Sequence, residues 1–139
     1  MDRRIIVFTL GFDSSAVMAQ LSEIAIKRHE ELVFLVPAKP SEKSENTILN
    51  IQQFINSLKA RGQNINYEFI QIKENSTEHA ILITYNALSE KEGHFIFDLS
   101  GGLRVLVLVA FTVALLLRER VDEVSLVGKL LLMRYSSKR

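Results

Sequence analysis

The chain has no cysteine, only two prolines and six glycines, and a formal net charge of +1 over 139 residues. Without cysteine there can be no disulfide and no thiolate-bound metal, which fits a reducing, cytoplasmic interior. The nearly balanced charge removes any bulk electrostatic case for a nucleic acid or a membrane surface. No leader with a cleavage site is visible: Asp2-Arg3-Arg4 runs straight into an apolar strand pattern, so no signal peptide is expected. One apolar run, Val105 to Leu117, is interrupted only by Thr112 and closed by Arg118, Glu119 and Arg120. A bilayer span needs roughly 20 residues, so this run is expected to be a helix buried on nearly all sides, with no membrane partner. Familiar catalytic and cofactor patterns are missing too. There is no GxxxxGK[ST] and no GxGxxG, and no Ser/His/Asp arrangement is evident. His29, His79 and His94 are scattered without ligand spacing, so neither a metal nor a cofactor is expected.

Hydrophobic residues make up 47% of the chain, enough to bury a core in one domain of this length. Residues 1–135 are expected to form that domain, with 136–139 as a frayed tail or a cut linker. The apolar pattern alternates between strand and helix. Ile5 to Leu10 is a continuous apolar run, as in a strand covered on both faces. A helix with Val17, Leu21, Ile24 and Ala25 on one face follows, started by a cap at Asp13 or Ser14. Leu32 to Val36 is a second strand stopped by Pro37 and Pro40, and Ile48, Ile51, Ile55 and Leu58 line a second helix with Gly62 just past its end. Ile65 to Ile72 reads as a third strand, Asn75-Ser76 starts a third helix, and His94 to Phe97 begins a fourth strand. After the long apolar helix, Val124–Val127 and Leu130–Met133 form a strand pair around Gly128. This spacing predicts an α/β fold: a Rossmann-like, doubly wound, mainly parallel sheet with a C-terminal strand pair.

Such sheets bind ligands beyond the carboxyl ends of their strands, where the strand order reverses. Two loops fall at such ends. Thr9-Leu10-Gly11-Phe12-Asp13-Ser14-Ser15 puts small hydroxyl residues just before a helix start. That is a favourable place for an anion, but on this loop alone an ordinary capped turn is the preferred reading. Asp98-Leu99-Ser100-Gly101-Gly102-Leu103-Arg104 is more specific, because adjacent glycines let backbone approach a ligand and Ser100 adds a hydroxyl. Arg104 lies in the first turn of the next helix, where a cation is poorly placed unless an anion or Asp98 compensates it. Lys39 ends the second strand and can reach the same crevice, or can simply be a solvated lysine.

Taken together, the runs IIVFTLGFD, LVFLVP and DLSGGLR resemble the CARF domains of CRISPR systems, most closely the sensor domain of archaeal CRISPR-associated transcriptional regulators. The likeness spans Arg3 to about Met133. It implies a homodimer binding a cyclic oligoadenylate, usually the tetra-adenylate, across its two-fold axis. Thr9, Gly11, Phe12, Asp13, Ser14 and Ser15 match the family's first ligand motif, and Ser100, Gly101, Gly102 and Arg104 match its second. The regulators continue into a winged helix-turn-helix, which this chain does not reach. It is therefore expected to be either an excised sensor, touching DNA only through a domain it lacks, or a short standalone member. Some standalone members are metal-independent ring nucleases, in which a ribose 2′-OH attacks the adjacent phosphate; Ser14, Ser15 and Arg104 would then be the catalytic candidates. No general base is evident, so a sensor is preferred to an enzyme. A purely structural dimerisation module is the third reading.

Overall fold

The computed structural model describes residues 3–11, 17–19, 21, 30–37, 42–63, 65–72, 76–102, 104–126 and 129–133. Its elements are β1 (Arg4–Thr9), β2 (Glu31–Pro37), α1 (Glu42–Ala60), β3 (Asn66–Ile72), α2 (Thr77–Ser89), β4 (His94–Asp98), α3 (Arg104–Leu116), β5 (Val121–Leu126) and β6 (Lys129–Met133). Gly128 and the tail at 134–139 lie outside the described residues.

The strands form one sheet in the order β3-β2-β1-β4-β5-β6. β1 to β5 are parallel, and β6 returns antiparallel to β5. The chain first winds outward through β2 and β3, then crosses back to β4 and winds the other way. The reversal falls between β1 and β4, as a doubly wound sheet requires.

Both faces of the sheet are covered, which is why β1 and β2 read as unbroken apolar runs. Ile5 and Val7 of β1 and Phe95 and Phe97 of β4 pack with α2 and α3; Ile6, Phe8 and Phe34 pack on the other side with Ile51 and Ile55 of α1 and with Val17 and Leu21. Helix boundaries follow their caps. Gly62, at φ 93°, ends α1: its N–H donates to the Lys59 carbonyl and that of Gln63 to the Leu58 carbonyl. Ser76 opens α2, its hydroxyl accepting the N–H of His79 at 3.3 Å.

Helix α3 departs from the expectation of burial on nearly all sides. Leu106, Val109, Ala110, Val113 and Ala114 face the core, a stripe at helical spacing. Leu108 and Leu116, by contrast, are 54% and 56% exposed, and Leu115 is exposed too. The sheet and α2 cover only one side of this helix. No described helix is long and apolar enough to cross a membrane.

The far end of the sheet, at the strand amino ends, is held by charge. Lys91 reaches Glu31 at 2.7 Å and also pairs with Glu68, while Arg4 pairs with Glu30 at 2.7 Å. Burial alone would lower the Lys91 pKa, but the hydrogen bonds and charges of Glu31 and Glu68 outweigh it and hold that pKa above its usual value. Arg120 donates to the carbonyls of Ser89, Lys91 and Gly93 and lies over the Phe95 ring, tying the α2–β4 turn to the start of β5.

One buried group in α2 is poorly served. Thr84 is fully buried, and its hydroxyl finds no hydrogen-bond partner among the described residues. Thr84→Val keeps the volume and removes the orphan, so it is expected to stabilise the domain by about 1 kcal/mol. The readout is the denaturant midpoint; an unchanged or lower midpoint would mean that the hydroxyl is satisfied in solution.

Candidate functional site

Because β1 and β4 are parallel neighbours with Phe8 opposite Asp98, the segments that follow them emerge side by side. Asp98, only 7% exposed, starts the second loop. Its Oδ1 accepts the N–H of Ser100 at 3.0 Å, closing a turn of the kind that aspartate two residues before a small residue favours. The N–H of Leu99 donates to the Ser125 carbonyl at 2.8 Å, fastening the same turn to β5. On the β1 side, the Leu10 N–H donates to the Leu35 carbonyl at 3.1 Å.

The two loops touch each other directly. The Thr9 hydroxyl donates to the carbonyl of Gly101. A Cβ placed on Gly11 would lie 2.9 Å from the Gly102 nitrogen, and one on Gly101 would lie 2.9 Å from the Thr9 carbonyl oxygen. One on Gly102, whose φ is +106°, would lie 2.7 Å from the Thr9 Cβ. The glycines are therefore required twice over: for the approach of backbone to backbone, and at Gly102 for a left-handed conformation.

Among the described residues, two polar groups at this end of the sheet remain uncommitted. The Ser100 hydroxyl is out of solvent and has no hydrogen-bond partner among the described residues. A buried polar atom without a partner asks for an explanation. Arg104 is the first residue of α3 and is exposed, and no acidic residue stands in that first turn. Among the described residues it has no ion pair, and Asp98 is engaged with Ser100 instead. The alternative in which Arg104 pairs with Asp98 is therefore not what the fold builds. An open groove of about 440 Å³ adjoins the loop, lined by Leu99, Gly102 and Arg104, by Val107, Leu108 and Phe111 of α3, and by Leu126 of β5.

Of the residues singled out in the sequence, Thr9, Gly11, Ser100, Gly101, Gly102 and Arg104 thus meet at the reversal point. Phe12, Asp13, Ser14, Ser15 and Lys39 lie outside the described residues. Thr9 is fully buried, beneath the site rather than on its wall. The supporting role of Asp98 is not among the sequence expectations, which offered it as a compensating charge for Arg104; the D-x-S spacing is the signal that points to the turn. The groove along α3 was not legible, because that helix is apolar on every side.

A parallel sheet reversing between β1 and β4, with a glycine-rich turn and a helix start at the reversal, defines a Rossmann-like domain with its candidate site at the switch point. The chain belongs to the family of Csa3 CRISPR-associated Rossmann-like domains, whose model matches residues 4–127. This agrees with the CARF resemblance of its motifs. No curated protein matches the chain.

Proposed function

We propose that this domain is a CRISPR-associated sensor of cyclic oligoadenylate, with cyclic tetra-adenylate as its ring, bound by two copies of the chain across a two-fold axis. The observation that carries the reading is the turn at Ser100–Gly102: a buried hydroxyl and an Arg104 guanidinium that have no partner among the described residues, beside two adjacent glycine backbones. Such a turn suits a phosphate-and-ribose backbone, with N–H groups and a hydroxyl for hydrogen bonds and a guanidinium for charge. Gly11 borders it from the β1 side, and the proposed site extends to Phe12, Asp13, Ser14, Ser15 and Lys39. Residues 1–135 act as one sensing unit. As in the archaeal regulators that the motifs resemble, the output is control of transcription through a DNA-binding domain outside this chain.

A ring with two-fold symmetry matches a two-fold dimer. Titration calorimetry with cyclic tetra-adenylate is expected to give one ring per two chains; one ring per chain, or no binding at micromolar concentration, would refute the reading. Product formation followed in the same incubation tests for ring cleavage. Steady conversion without added metal would make the domain a ring nuclease instead.

Arg104→Ala is expected to weaken binding by roughly 1.5–3 kcal/mol, as for a charge-assisted hydrogen bond. Its melting temperature without ligand should stay near wild type, because the side chain is exposed and makes no ion pair among the described residues. Unchanged affinity would remove Arg104 from the site and leave the Gly101 and Gly102 backbone as the phosphate contact.

A further inference from the structure

The geometry points to Thr9 as a positioning residue: its hydroxyl latches the β1 loop to the glycine turn after β4 and so holds the Ser100–Gly102 backbone in one conformation. For its effect on binding, this inference rests on the ligand reading above. Thr9 is wholly buried, so its side chain offers no surface to a ligand. Its one hydroxyl proton goes to the Gly101 carbonyl. Its Cβ and Oγ1 stand against the Cα of Gly102, where an added methyl would come within 2.7 and 2.8 Å of them. Among the described residues the turn it braces has few other ties. Ser100 is held by Asp98, Leu99 by Ser125, and α3 begins at Arg104. Between those points Gly101 and Gly102 are the most freely rotating residue type in the chain. Without the hydroxyl, their N–H groups would sample several directions, and a ligand would have to order them on binding.

Three variants and two measurements test the latch. Thr9→Val keeps the volume and removes the hydroxyl, Thr9→Ser keeps the hydroxyl, and Thr9→Ala removes both with no new contact. In the absence of ligand, amide exchange across residues 99–104 should quicken about tenfold in Thr9→Val relative to wild type, while β2 stays unchanged and Thr9→Ser behaves as wild type. Affinity for cyclic tetra-adenylate, measured well below the melting temperature, should fall about tenfold in Thr9→Val and less than about twofold in Thr9→Ser. A side chain that merely adds global stability would alter neither exchange confined to that segment nor the affinity of the folded protein. A side chain that touched the ligand itself would alter affinity and leave unliganded exchange alone. Wild-type exchange across 99–104 in Thr9→Val, or a tenfold loss of affinity in Thr9→Ser, overturns the latch. If wild type fails to bind the ring, the ligand reading falls and exchange alone decides. Should Thr9→Val not fold, Thr9→Ala is read in its place.

Discussion

Val113→Asp is expected to unfold the domain, whereas Leu108→Asp should leave it folded. Both residues lie in α3, but Val113 is fully buried, packed in the cluster that contains Val7, Phe95 and Phe97, while Leu108 is 54% exposed. A carboxylate at position 113 would lose its water without gaining any partner in that apolar cluster. The helix must then leave the sheet or the acid must take up a proton, and either outcome costs about 4 kcal/mol or more, a large part of the stability of a domain this size. At position 108 the carboxylate stays in water. Val109 and Val113 are core residues of the single domain, and the outward residues of α3 are Leu108, Leu115 and Leu116. If two copies pack through that outer face, Leu108→Asp should halve the particle mass with little change in melting temperature. Circular dichroism and light scattering on both variants test the pair. A folded Val113→Asp would contradict the packing described, and a dimer of unchanged mass in Leu108→Asp would move the interface off α3.

That contrast marks the limit of what the residues reveal unaided. A helix with a polar side declares its orientation, as α1 does through Ile51 and Ile55. In α3 every turn offers leucine, valine or alanine, and Thr112 stays compatible with the run by donating to the Leu108 carbonyl at 2.8 Å. Which residues face inward is then decided by the turn that launches the helix, not by hydropathy. β1 has the same ambiguity. Covered on both faces, it shows no period of two, so nothing in its sequence says that Thr9 points into the fold. β5 begins at Val121, three residues before its expected start, because Asp122 and Glu123 interrupt the apolar pattern that marks a buried strand. Asp122 falls where the pairing with β4 shifts register between Phe95 and Ile96, which accommodates the extra residue inside the strand. The caps at Gly62 and Ser76 and the glycine pair after β4 were legible because each is dictated by local backbone chemistry.

The glycine pair also permits a test that separates conformation from crowding. Gly102→Ala should lower stability by about 3 kcal/mol, combining the strain of a positive φ with a methyl forced against Thr9. Gly62 supplies the comparison within the same chain. Its φ is +93°, close to the +106° of Gly102, but a methyl on it would meet nothing within 4 Å. Gly62→Ala therefore carries the conformational part alone, about 1 kcal/mol. The difference between the two substitutions, read from denaturant midpoints at a common slope, isolates the contact between the loops. Because the crowding is against Thr9, Gly102→Ala should also disturb ligand binding, while Gly62→Ala, at the end of α1, should not. Equal losses of stability would mean that the β1 and β4 loops do not touch, and the proposed site would then lose the contact that joins its two halves.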